Sequence, residues 1–133
     1  MRIIIDSNVL LSATVFKGAK ITELMRIVID DHTLILTNNI LNEVRKVIEI
    51  KKPEKLPDFE KFLSLAKFEH HFTSNEGIDT TIQIRDPNDI IIISDAIAVR
   101  ADILITGDND FFDRTYDGLE IIKPADFIKK YGQ

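Results

Sequence analysis

Short β-branched runs alternate along the chain with longer stretches whose apolar residues recur every three or four positions. Arg2 to Ile5 is an almost unbroken apolar run, suited to a strand covered on both faces. Ile21, Leu24, Met25 and Val28 then fall at helical spacing and predict a helix from about Ala19 to Ile29. His32 to Leu36 reads as a second strand. It ends at Thr37-Asn38-Asn39, residues able to cap a helix. That helix, Asn38 to about Ile50, carries Ile40, Leu41, Val44, Val47 and Ile48 along one stripe.

Pro53 and Pro57 punctuate the next stretch of chain. A shorter helix carries Phe59, Phe62, Leu63 and Ala66, and a short strand is expected near Phe68 to Phe72. The stretch from Thr73 to Arg85 has no readable period. Asp86-Pro87 opens a strongly apolar helix running to about Arg100, with proline at the first helical position. Ile103 to Ile105 and Glu120 to Ile122 make two more strands, and Pro124 starts a terminal helix. Strands alternating with helices predict one domain over residues 1–133. The expected architecture is a three-layer α/β/α sandwich around a mainly parallel sheet.

Composition adds limits rather than detail. The longest apolar run, Ile90 to Ile93, is far below the roughly 20 residues of a membrane span. The opening run meets Asp6 too soon for a secretory signal, so a cytoplasmic protein with no membrane partner is expected. Without cysteine, disulfides and thiolate metal sites are excluded. A net charge of −5 argues against a protein that coats nucleic acid by bulk charge. It is compatible with a cluster of metal-binding carboxylates.

Where those carboxylates fall is the informative part. In a parallel sheet of this kind, sites form beyond the carboxyl ends of the strands. Asp6 directly follows the first strand, and Asp108 and Asp110 follow the strand ending at Ile105. Helices run antiparallel to the strands, so their amino ends reach the same edge. With Asp86 capping and Pro87 first, Asp89 lies in the opening turn of its helix. Glu43 lies roughly 8 Å below the edge at 1.5 Å per residue, on the margin of its helix's apolar stripe. Taken singly, each acid has a plainer reading as a cap, a turn or a solvated residue. Together they converge on one edge, where like charges repel unless a cation joins them or some carboxyls take up protons. All-oxygen ligands favour magnesium or manganese, ions that promote water attack on a phosphodiester. Asp95, inside the apolar helix and turned away from Asp89, is expected in a structural salt bridge. His70-His71 is expected to be structural or exposed, since neighbours in a strand face opposite ways.

Four segments carry a family resemblance: Asp6-Ser7-Asn8-Val9-Leu10-Leu11-Ser12-Ala13, Leu41-Asn42-Glu43-Val44, Arg85-Asp86-Pro87-Asn88-Asp89, and Ala101 to Phe111 with its Thr106-Gly107-Asp108-Asn109-Asp110. In this order, over essentially the whole chain, they resemble the motifs of PIN-domain toxins of toxin–antitoxin systems, relatives of the VapC-type ribonucleases. The resemblance implies a magnesium- or manganese-dependent endoribonuclease acting on RNA, often a homodimer and often held inactive by an antitoxin protein. It implies Asp6, Glu43, Asp89 and Asp108 as catalytic metal-binding acids with Asp110 close by. Asn8, Thr106 and Asp86 would support them by hydrogen bonding, and Asp86 is the alternative to Asp89 as third acid. Products would carry 5′-phosphate and 3′-hydroxyl ends. Ile90 to Ile93 departs from the small-residue helix of the family pattern.

Other readings fail on particular residues. A haloacid-dehalogenase-type phosphatase needs a second Asp where Asn8 stands, and a receiver domain needs an acidic pair beside Asp6. No glycine-rich phosphate loop is present. The remaining alternative is a non-catalytic PIN-like module binding RNA or protein, which the full acid set disfavours. For holding RNA, the candidates are Arg45, Lys46, Lys51 and Lys52, with Lys55 beyond them.

Overall fold

The computed structural model describes residues 1–73, 87–113, 115–116 and 118–132. The expected cap at Asp86 and the unreadable stretch after Thr73 lie outside the described residues. Five strands form one sheet: β1 (Arg2–Ile5), β2 (Thr33–Thr37), β3 (Glu69–His71), β4 (Ile103–Ile105) and β5 (Glu120–Ile122). Their order is β3-β2-β1-β4-β5 and every pairing is parallel. Ile3 pairs with Leu34 on one side and with Ile103 on the other, which makes β1 the central strand.

Ile3, Ile4 and Ile5 are all fully buried. Successive strand residues point to opposite faces, so both faces of the sheet must be covered. The covering helices are α1 (Ser7–Leu11), α2 (Ala19–Asp31), α3 (Asn38–Lys51), α4 (Leu56–Leu65), α5 (Pro87–Ala98) and α6 (Pro124–Tyr131). This is the α/β/α sandwich expected from the sequence. Residue types at the edges differ from those at the centre for the same reason. Glu69-His70-His71 on the rim is exposed or half-buried, and both histidines lie at the surface side of the core.

Local chemistry sets the helix ends. The Thr37 hydroxyl accepts from the Ile40 N–H at 3.3 Å, so the last residue of β2 also caps α3. In α3, Ile40, Leu41, Val44 and Ile48 are buried as one stripe. The helix α5 stops at Ala98 rather than near Arg100, because Arg100 takes a left-handed backbone conformation (φ 57°). Two short turns were not evident in the apolar pattern. A π-helical turn (Ser12–Phe16) follows α1, and a 3₁₀ turn (Asn109–Asp113) follows β4. Among the described residues no helix is long and apolar enough to cross a membrane.

Asp95 corrects one expectation. It is buried, 3% exposed, and no cation pairs with it among the described residues. Its carboxylate instead accepts from the Thr37 hydroxyl at 2.6 Å, the Thr73 hydroxyl at 2.7 Å and the Asn39 amide at 3.2 Å. Neutral donors from two separate segments, Thr37 and Asn39 at the β2–α3 junction and Thr73 beyond β3, replace the salt bridge that the helical wheel suggested. The helical period reveals that a residue is interior but not which donors await it. Asp95→Ala removes the shared acceptor and leaves those donors buried, at a cost of about 3 kcal/mol. Asp95→Asn, which keeps one oxygen, is expected to cost less. Urea unfolding of the two variants checks this, and a loss below about 1 kcal/mol for the alanine form would show the cluster to be peripheral.

Candidate active site

From β1 the chain winds outward through β2 to β3, then returns across β1 to form β4 and β5. The order therefore reverses between β1 and β4. A crevice opens at such a switch point beyond the carboxyl ends of the two strands, where flanking connections part in opposite directions. Asp6 stands at one lip and Asp108 at the other. The Asp6 N–H still donates to the Ile105 carbonyl at 3.1 Å, so Asp6 continues the β1–β4 ladder by one residue.

Asp6 is 5% exposed and its two oxygens have different tasks. Oδ1 accepts from the Val9 N–H at 2.8 Å and so caps α1. Oδ2 accepts from the Thr106 hydroxyl at the end of β4. The Thr106 oxygen in turn accepts from the Asp108 N–H at 3.1 Å, and Asp108 Oδ1 accepts from the Asp110 N–H at 2.9 Å. Thr106 thus links the acid after β1 to the acids after β4 by hydrogen bonds.

Glu43 reaches the same place from α3. Its Oε2 accepts from the Ser7 hydroxyl at 2.7 Å, which holds an exposed side chain against the mouth of the crevice. Sequence reasoning passed over Ser7. The available signal was its place directly after the capping acid, where a short helix must turn its first side chain back over the strand end. Asn8 also borders the crevice, but it is exposed and makes no hydrogen bond to the acids among the described residues. Asp89 in the first turn of α5 completes the group. Carboxylate oxygens of Asp89, Asp108 and Asp110 all lie within 4.8 Å of one another. Asp6, Glu43, Asp89 and Asp108 line one small cavity of about 30 Å³ with Ser7, Asn8, Ile92 and Phe111. That is room for an ion or a water or two.

The two edges of the sheet treat their charges differently. At the amino edge, the Arg2 guanidinium binds Glu69 at 3.2 Å, and the Arg2 N–H donates to Asp102 at 2.8 Å. At the carboxyl edge, none of Asp6, Glu43, Asp108 and Asp110 takes part in an ion pair among the described residues. Burial pushes the Asp6 carboxyl above its ordinary value. The hydrogen bonds from Thr106 and Val9 pull the other way, and the charges of Asp108 and Glu43 add to the upward push. The donor set fits a hard divalent cation: carboxylate oxygens only, gathered closely, with no protein cation among those four to compensate them.

The comparisons with known proteins bear on this geometry. The PIN domain family matches residues 2–110, a span that runs from β1 through the acids after β4. The chain belongs to the PIN domain family. PIN domains are generally nucleases, and they use divalent metals. The fold is similar to that of one chain in the crystal structure of VapBC2 from Rickettsia felis bound to a DNA fragment from its promoter. That likeness has a TM-score of 0.74 at 20% identity, and it covers 92% of this chain and 98% of the other. No curated protein matches the sequence.

The basic candidates do not all lie at this PIN-domain edge. Lys46 lines a hollow that also touches Glu43. Arg45 is tied to Glu60 at 2.6 Å. Lys51 and Lys52 lie at the far end of α3, with Lys52 over the Phe16 ring at 5.4 Å.

The raised Asp6 value carries a stability consequence. A carboxyl held above its unfolded value of 3.8 favours the fold while protonated, and that contribution is lost as pH rises through the folded value. In metal-free protein, Asp6→Asn is therefore expected to be more stable than wild type at pH 7. Its advantage should shrink as pH falls toward the ordinary carboxylate range. Urea midpoints measured in chelator across pH 5 to 8 give the answer, and a variant less stable at pH 7 would contradict the burial argument.

Proposed function

We propose that this PIN domain is a metal-dependent endoribonuclease, hydrolysing RNA phosphodiester bonds as the toxin of a toxin–antitoxin pair. The observation that carries the reading is the convergence of Asp6, Glu43, Asp89 and Asp108 on one cavity. Asp110 lies within carboxylate reach of two of them. Among the described residues Asp6, Glu43, Asp108 and Asp110 take part in no ion pair, whereas at the opposite edge of the sheet Glu69 is paired with Arg2.

In this reading Asp6, Glu43, Asp89 and Asp108, with Asp110, hold magnesium or manganese. When bound, such an ion supplies positive charge for the phosphate oxygens and makes water more acidic. The chain's own residues supply position. Val9 and Thr106 fix both oxygens of Asp6, and Ser7 fixes one oxygen of Glu43, so little reordering is needed for these two acids to act together. Ile92 and Phe111 form the apolar part of the wall and limit the water that enters. The toxin–antitoxin part draws on the family and on the VapBC2 likeness. It carries with it an antitoxin partner, a homodimer and a cytoplasmic setting.

The test is RNA cleavage by purified protein with magnesium or manganese. Asp6→Asn and Asp89→Asn are each expected to lower the rate by about 10²-fold or more, and chelator should abolish it. A binding module would show no metal-dependent cleavage in the wild type or either variant, and that result would replace the nuclease reading.

A further inference from the structure

Beside the acid cavity, and sharing Glu43 and Ile92 with it, lies a larger hollow of about 260 Å³. Ile91 and Ile92 of α5 give it apolar lining, and Asn39, Asn42, Glu43 and Lys46 of α3 border it. Those four positions are spaced i, i+3, i+4 and i+7, so they form one polar stripe along a single face of α3. The buried stripe of that helix, Ile40, Leu41, Val44 and Ile48, faces elsewhere. A polar stripe opposite an isoleucine surface is a two-sided slot.

The lining residues retain free hydrogen-bonding capacity. The Asn39 amide nitrogen is committed to Asp95 and Thr73, which leaves its carbonyl oxygen as an acceptor. The Asn42 side chain is exposed and makes no hydrogen bond among the described residues, so it offers both donor and acceptor. Lys46 is exposed and without an ion-pair partner among the described residues, unlike Arg45. It lies about 4.5 Å along the helix axis from Glu43, at 1.5 Å per residue.

Charge explains why such a slot is needed. RNA approaching the carboxyl edge meets a group of acids on a chain of net charge −5 and is repelled. Of Arg45, Lys46, Lys51 and Lys52, Lys46 alone lines this slot. Small-molecule sites begin at about 300 Å³, and the slot falls just below that, a size suited to one base with its sugar. We propose that the slot is a nucleotide subsite. It receives a single unpaired RNA nucleotide flanking the bond to be cut, its base between Ile91, Ile92 and the two asparagine amides, its phosphate on Lys46. This rests on the nuclease reading and assigns a substrate contact to named residues of α3 and α5; a paired base cannot leave its stack to enter the slot.

The test is binding, read separately from cleavage. Fluorescence anisotropy is followed for a labelled single-stranded RNA oligonucleotide, and for the same oligonucleotide annealed to its complement, in calcium and in chelator. Lys46→Ala is expected to weaken single-strand binding about fivefold and to reduce the salt slope by about 1. Asn42→Glu is expected to weaken it by about tenfold or more. Lys129→Ala on α6, with the same loss of charge, should remain within twofold. A photoreactive thiouridine in the oligonucleotide should crosslink within the α3 and α5 segments that line the slot. Overturning results are no single-strand binding by wild type, a Lys46→Ala effect no larger than that of Lys129→Ala, duplex bound as tightly as single strand, or crosslinks elsewhere. Binding that depends on Lys46 without any metal-dependent cleavage would sink the nuclease reading and leave the subsite standing. Cleavage abolished by Asp6→Asn, with cut-site choice and KM unmoved by Lys46→Ala and Asn42→Glu, would do the reverse.

Discussion

Mutual repulsion among carboxylates at the end of a parallel sheet is the constraint on which the rest of this molecule depends. Left to themselves, Asp6, Glu43, Asp108 and Asp110 would move apart into water. They are prevented from doing so by the core beneath. Ile3, Ile4 and Ile5 on β1 and Ile103, Leu104 and Ile105 on β4 are almost wholly buried, and their pairing fixes where both strands end. Burial of that much apolar surface far outweighs the repulsion of a few partly solvated charges. The hydrophobic sheet thus holds an unfavourable electrostatic arrangement in place, and a divalent cation could relieve it.

Asp6 shows how one residue meets both demands. As the cap of α1 it satisfies an N–H that the helix leaves open, which is a structural reason for an acid there. The same geometry leaves Oδ2 facing Thr106 and the crevice. The cap reading and the site reading of this position are therefore compatible, since the cap engages one oxygen and the site the other. Folding itself sets the orientation of both Asp6 oxygens.

The parts of this arrangement legible in the sequence were those set by period and chain direction. Short apolar runs mark β1 and β4, and the direction of a parallel sheet places Asp6 and Asp108 at one edge without any knowledge of side-chain contacts. Glu43 was legible from its place at the margin of the stripe of α3. Contacts between side chains distant in sequence were not legible. The Ser7 hydroxyl on Glu43 spans 36 positions, and the Thr37 hydroxyl on Asp95 spans 58. No local pattern encodes such pairings, and a buried acid in a helix suggests a cation only because cations are its commonest partners. The basic stretch at the end of α3 meets the same limit: Arg45, Lys46, Lys51 and Lys52 are close in sequence, yet Lys46 borders the hollow beside Glu43 while Arg45 is held by Glu60.

The Asp95 cluster gives the last link between fold and site. Asn39 contributes to it through its amide nitrogen and, one turn further along the same face of α3, Glu43 enters the acid cavity. Asp95 lies on α5, the helix that carries Asp89 at its start and Ile92 between. The hydrogen bonds among Asp95, Asn39, Thr37 and Thr73 therefore fasten α5 to α3 and β2 a few residues from the acids those elements present. Neutral donors suit that task better than a salt bridge. A guanidinium in this position would place a permanent positive charge close to the carboxylates and compete with any cation they bind. A clasp made of hydroxyls and an amide holds the same two helices together while leaving the negative potential of the neighbouring cavity intact.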